Sequence, residues 1–196
     1  RLLRAYNQSA ATLNLLRAFT TGGFADLNKV HVWNQEFIAQ SPQGKRYEEI
    51  ANRIDDALIF MEAVGINSKT HSALKLTEFF TSHEALLLGY EHALTRQDSI
   101  TKKWYNCSGH FIWIGDRTRQ PAGAHVEFLS GVENPIGIKI GPSITEEELL
   151  VLCTKLNPNN EWGRLTLISR MGAKTIRKKL PRLIRSLCKN EKKVLW

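Results

Sequence analysis

The chain has 196 residues, a formal net charge of +8 at pH 7, and 42% hydrophobic against 23% charged residues. That length supports one domain with its own core, and the composition excludes a disordered or fibrous chain. No apolar run approaches the roughly 18 residues of a membrane span, which argues against a membrane-spanning helix, and three isolated cysteines suit free thiols in a reducing cytoplasm.

The opening residues Arg1-Leu-Leu-Arg-Ala-Tyr-Asn7 read as a helix already under way, not as a signal peptide. With no methionine and no cap in front of them, a fragment of a longer protein is expected. Cys107, Cys153 and Cys188 are isolated, without metal-ligand spacing, and are expected as free thiols.

Apolar residues at helical spacing (Leu3, Tyr6, Ala10, Leu13, Leu16) predict a helix from Leu2 to Phe19, broken by Gly22-Gly23. Val30, Val32, Trp33 and Phe37 mark a second helical stretch, closed by the turn signal Ser41-Pro-Gln-Gly44. Tyr47, Ile50, Ile54, Ala57, Leu58 and Met61 mark a third, stopped by Gly65. Residues 1–66 therefore form a helical segment without a strand.

From residue 73 onward, strand and helix signals alternate. Ala73–Thr77 reads as a short strand. Thr81 and Glu84 have the spacing of a capping box, predicting a helix through about Thr95 and placing Ser82, His83 and Glu84 at its start. Residues 96–106 read as a polar loop. The apolar run His110–Gly115 is a strand followed by Asp116-Arg-Thr-Arg-Gln120, with a helix over 122–129.

Gly137–Gly141 is the next strand, and Thr145 with Glu148 caps a helix carrying Leu149, Leu150, Leu152, Cys153 and Leu156. Arg164–Arg170 is a third strand. A basic helix over 173–187 follows, with Pro181 expected to kink or divide it. Val194-Leu-Trp196 reads as the start of one more strand. Alternation over 73–196 argues for an α/β fold with a parallel sheet. The short repeat fits a (β/α) barrel better than a small open sheet.

In such a fold the carboxyl ends of the strands share one face. Arg117 follows one strand, Lys139 lies near the end of the next, and Arg170 ends the one after. Three cations from consecutive strands suit a phosphate or carboxylate: arginine offers a bidentate fork and lysine a mobile point charge. Asp116 could orient an arginine, and Arg119 could face outward or brace the loop. His83 and Trp113 are further candidates for lining the site. No P-loop or Gly-x-Gly-x-x-Gly is present, so no nucleotide is expected. The basic run from Arg164 to Lys193 admits a polyanion partner, but a solvated helix face is the simpler reading and nucleic acid is disfavoured.

Several motifs together resemble the class II (plant-type) 3-deoxy-D-arabino-heptulosonate 7-phosphate (DAHP) synthases. They are Trp113-Ile-Gly-Asp-Arg-Thr-Arg-Gln120, Gly123-Ala-His-Val-Glu127, Asn134-Pro-Ile-Gly-Ile-Lys139, Leu156-Asn-Pro158, Gly163-Arg164 and Ser169-Arg-Met-Gly172. Thr81-Ser-His-Glu-Ala-Leu-Leu-Leu-Gly-Tyr-Glu91 and the Leu-Leu-Arg-Ala-Phe ending at Phe19 extend the likeness along nearly the whole chain.

The resemblance implies a (β/α)8 TIM barrel, present here as about five strands with extra N-terminal helices in a single domain. It further implies a transferase of the shikimate pathway to chorismate and aromatic amino acids, condensing phosphoenolpyruvate with erythrose 4-phosphate. It also implies a divalent metal (manganese, cobalt or similar) and a homo-oligomer in the complete enzyme. By motif match Arg117, Lys139 and Arg170 correspond to phosphoenolpyruvate-binding residues. Asp116 stands where the family usually has glutamate, one methylene longer. The family's metal ligands are a cysteine on an early strand and a histidine, a glutamate and an aspartate on late strands. These fall outside this chain, so the fragment alone is expected to be inactive. A homologue diverted to secondary metabolism and a non-catalytic basic binding module remain as alternatives.

Overall fold

The computed structural model describes residues 1–196, which divide into two compact units, Arg1–Phe79 and Phe80–Trp196. The first unit is helical: α1 (Leu2–Thr21), α2 (Leu27–Gln40) and α3 (Glu48–Ala63). Asp26 caps α2, its carboxylate accepting from the backbone N–H of Asn28 at 2.9 Å. This unit has almost no core. Ala51 is its one buried hydrophobic side chain, and buried His31 lies 3.4 Å from the Asp55 carboxylate. Leu3, Phe19, Phe37, Ile59 and Phe60 are exposed. The strand expected over Ala73–Thr77 is absent. The backbone there closes a 3-10 turn at Ser72–Leu74, with Lys75 N–H bonding Ser72 O, and no neighbouring strand offers a ladder.

The second unit holds a parallel four-stranded sheet in the order β1 (Ser82–Glu84), β4 (Phe111–Ile114), β5 (Ile136–Ile140), β6 (Leu165–Ser169). Between β1 and β4 lie α4 (Leu88–Ala93) and an antiparallel hairpin, β2 (Thr95–Gln97) with β3 (Trp104–Asn106). Helices α5 (Ala124–Ser130), α6 (Glu146–Leu156) and α7 (Ala173–Lys189) follow β4, β5 and β6 in turn. Leu195 adds a parallel bridge beside Thr166, where the sequence pattern put the start of a further strand.

Alternation assigns the two faces of the sheet. Ile112, Ile136 and Leu165 are in register, as are Ile114, Ile138 and Leu167; all six are buried. They pack with Val126 and Leu129 of α5, Leu149, Leu152 and Leu156 of α6, and Leu183 and Leu187 of α7. The residues between them point the other way: Phe111 and Trp113 on β4, Gly137 and Lys139 on β5, Thr166 and Ile168 on β6.

The capping box expected at Thr81 and Glu84 does not form. Ser82–Glu84 pairs in parallel with Phe111–Trp113, and the Thr81 hydroxyl and backbone N–H both meet His110 Nδ1 at 3.0 Å. A ladder to a distant strand outcompetes a local cap. The expected loop over 96–106 is the β2–β3 hairpin, whose turn Asp98 closes by accepting from Thr101 N–H at 2.6 Å. At α6 the cap does form, with Thr145 Oγ1 accepting from Glu148 N–H at 3.1 Å. Helix α7 is undivided, with Pro181 inside it on an exposed face.

Candidate anion-binding site

The carboxyl ends of β1, β4, β5 and β6 bring Glu84, Asp116, Arg117, Lys139 and Arg170 to one edge of the sheet. Neighbouring strands lie about 4.8 Å apart, so Arg117, Lys139 and Arg170 come from three successive positions along that edge. Lys139 is the central member. It sits in an otherwise apolar strand, on the face away from the helices, a quarter exposed. Its Nζ donates to Glu84 Oε2 at 2.8 Å and lies 5.3 Å from the Trp113 ring centroid, a cation–π contact.

Glu84 is the member that sequence reasoning missed. It is in register with Trp113 and so shares the open face with Lys139. The Lys139 hydrogen bond holds its carboxyl below the usual range against the opposing effect of burial. The Lys139 charge, the Trp113 indole and the Arg117 guanidinium act in the same direction as that hydrogen bond. The buried indole N–H of Trp113 nevertheless completes no well-formed hydrogen bond of its own. Gly115 makes room for this arrangement, because a Cβ there would run into the Glu84 carboxylate.

Asp116 and Arg119 form the frame behind the cations. Asp116 Oδ1 accepts from the Gly141 backbone N–H and from Arg119 Nε, both at 2.9 Å, tying the loop after β4 to the end of β5. Arg119 is buried. It also reaches the Glu148 carboxylate and, at 3.0 Å, Ser143 Oγ. It therefore braces the loop, and Asp116 is the residue that orients it. The Arg117 and Arg170 side chains are exposed and make no hydrogen bond or ion pair. The sheet edge thus offers two free guanidiniums beside one partly neutralised ammonium. That arrangement suits a ligand with two anionic groups, such as a phosphate and a carboxylate.

Trp113 lies on this face, beneath Lys139. His83 does not. It is in register with Ile112, on the helix-covered side, and its Nε2 meets Glu91 Oε1 at 2.7 Å. Glu91 is 2% exposed and also accepts from Ser108 Oγ at 2.6 Å and Asn106 Nδ2 at 2.9 Å. Burial alone would raise the Glu91 carboxyl, but hydrogen bonds from His83, Ser108 and Asn106 and the His83 charge bring it below its usual value. This network holds the hairpin and α4 together, and nothing in the local sequence announces it.

No group of three or more His, Cys, Asp or Glu side chains is placed to hold a metal ion. The acidic residues nearest the cations, Glu84 and Asp116, are already engaged with Lys139, Arg119 and Gly141. Cys153 is buried among α6 and the sheet, which pushes its thiol up to about 11, well away from a metal-ready thiolate. Cys107 and Cys188 are exposed free thiols. No helix is long and apolar enough to cross a membrane.

The motifs agree with what comparison with known proteins shows. The model of the class-II DAHP synthetase family matches residues 1–196, the whole chain. The chain belongs to that family. A "phospho-2-dehydro-3-deoxyheptonate aldolase" of Streptomyces coelicolor is 56% identical over 196 residues, covering 100% of this chain and 43% of the relative. A protein of Mycolicibacterium smegmatis, "phospho-2-dehydro-3-deoxyheptonate aldolase AroG", is 45% identical over 201 residues, again covering 100% of this chain and 43% of the relative. The chain thus spans less than half the length of these two family members. All the edge residues described above fall inside the matched region.

Proposed function

We propose that this chain is the central portion of a DAHP synthase, a transferase of the shikimate route to aromatic amino acids, and that the sheet edge binds phosphoenolpyruvate. The observation that carries the reading is the row Arg117, Lys139, Arg170. These are three cations at the carboxyl ends of three successive parallel strands, two of them unpaired, on the one edge where a (β/α) fold places ligands. In this reading the sheet belongs to a (β/α)8 barrel, and residues 1–79 are helices added to the same domain.

Phosphoenolpyruvate carries a phosphate and a carboxylate, which the two guanidiniums and the Lys139 ammonium would divide between them. C3 of phosphoenolpyruvate forms a bond to the aldehyde carbon of erythrose 4-phosphate. Water then adds at C2, and phosphate departs with the bridging oxygen. The fixed cations stabilise the charge that gathers on the departing phosphate without reorganising. Asp116 is assigned to the frame that holds the Arg117 loop, and Trp113 to the floor beneath Lys139. By the family resemblance, the ligands of the divalent metal typical of the family are assigned to residues outside this chain, and none is assigned within it. The complete enzyme is proposed to be a cytoplasmic homo-oligomer.

Steady-state assay of the full-length synthase with phosphoenolpyruvate and erythrose 4-phosphate tests the reading. Replacing Arg117 or Arg170 by alanine should raise the KM for phosphoenolpyruvate by about tenfold to a hundredfold, the effect of losing a charged hydrogen-bonding group. An unchanged KM in both variants would refute it.

A further inference from the structure

Within the anion site as proposed above, one side chain has the wrong sign. Glu84 is an acid placed among cations that otherwise await an anion. Its position is built rather than incidental: it is set by the register of β1 against β4, and Gly115 leaves the space it fills. Both Glu84 and Lys139 are less than a third exposed, and the contact between them is 2.8 Å. Lys139 is therefore a neutralised cation on arrival of a ligand, held between the Glu84 carboxylate and the Trp113 ring face.

We infer that Glu84 is a positioning and affinity-setting residue. Its carboxylate acts as a resident counter-ion that aims Lys139 into the site and limits how tightly the site holds a phosphate-bearing anion. Two consequences follow from charge alone. An incoming anion must share Lys139 with Glu84, so some of the attraction is spent against an ion pair already present. Conversely, a phosphate that has been released meets a carboxylate ready to reclaim the ammonium, which favours its departure. Removing the negative charge while keeping an acceptor for Lys139 should tighten anion binding and slow product release. Glu84 acts through Lys139 and is not assigned a bond to substrate.

The test compares the full-length synthase with its Glu84→Gln and Glu84→Asp variants, using inorganic phosphate and phosphoenolpyruvate as probes. Binding would be measured by calorimetry and by the change in indole fluorescence, with Trp113→Phe identifying the Trp113 signal. Glutamine keeps a carbonyl for Lys139 but no charge, so phosphate and phosphoenolpyruvate should bind roughly tenfold more tightly, about 1.4 kcal/mol. KM should fall together with kcat, and the melting temperature should change little. Aspartate keeps the charge, so its affinity for both probes should stay near that of the parent.

Unchanged or weaker binding in Glu84→Gln, with the fold intact, would overturn the inference, because Glu84 would then be structural or a direct ligand contact. The reading of the site fails separately. If Lys139→Ala and Arg117→Ala bind both probes as the parent does, the anions do not sit here, and the counter-ion role falls with the site.

Discussion

The two ends of the same sheet handle charge in opposite ways. At the amino end every strong polar group is consumed. Arg164, just before β6, donates to the backbone carbonyls of Leu156, Asn134 and Leu129, closing the ends of two helices and the entry to β5. Asn134 accepts from Asn106 N–H at 2.7 Å and donates to Asn106 O at 2.9 Å, and the Glu91 network lies beside it. At the carboxyl end the frame of Asp116 and Arg119 is likewise complete. In front of it, however, Arg117 and Arg170 are free and Lys139 has only an acid that a ligand could displace. Satisfied polar groups contribute to folding, and unsatisfied ones at a rigid edge are available to a ligand.

The largest effect should come from breaking the closed end. Glu91→Ala removes the shared acceptor of His83, Ser108 and Asn106 and should cost about 3 kcal/mol of stability, measured by urea unfolding. The pH dependence has a definite sign. Because the folded carboxyl lies below its ordinary value of 4.5, its contribution is fully present above that value and is lost as pH falls through the folded pKa. The parent should therefore lose stability on acidification more steeply than Glu91→Gln. Equal slopes would mean that the network does not hold the ionised form.

Next in size is the open end. Lys139→Ala should weaken phosphoenolpyruvate binding about a hundredfold, near 2.7 kcal/mol, while leaving urea stability within about 1 kcal/mol. A stability loss comparable to that of Glu91→Ala would show that Lys139 belongs to the fold, and the contrast between the two ends would collapse. Gly141→Ala falls between the two ends. Its Cβ would strike the Asp116 carboxylate, which is pinned by Arg119 and by the Gly141 N–H itself. A destabilisation of about 1–3 kcal/mol is expected in thermal unfolding, and the displaced loop should carry Arg117 away from the site.

The closed core was the legible part of the fold. Ile136, Ile138 and Ile140 alternate with Gly137 and Lys139, and this period of two marks β5 and puts a lysine on the opposite face from the isoleucines. The Thr145 cap of α6 was readable because its partner is three residues away. The recurrence of a cation at three strand ends was readable for the same kind of local reason.

Glu84 was not. Thr81-x-x-Glu84 has the spacing of a helix cap, and the three-residue strand that overrules it exists only through Phe111–Trp113, more than twenty residues on. The β2–β3 hairpin lacks apolar alternation, and Ala73–Thr77 has alternation (Leu74, Lys75, Leu76, Thr77) but no partner strand. In each case the deciding hydrogen bonds are long-range, or missing, and no window of sequence contains them.

The smallest expected effect is the one that best separates space from charge at the open end. Gly115 has no positive φ to protect, so alanine is conformationally acceptable there, and its cost is the contact with Glu84. The atoms struck are the far end of a flexible side chain, so Glu84 can swing aside and stability should fall by less than about 1 kcal/mol. The swing draws the carboxylate off Lys139 without removing its charge from the neighbourhood. Inorganic phosphate should then bind about threefold more tightly than to the parent, less than the roughly tenfold gain expected of Glu84→Gln. If binding weakens instead, the backbone has yielded rather than the side chain, and the loop that presents Arg117 is softer than the Asp116–Arg119 brace implies.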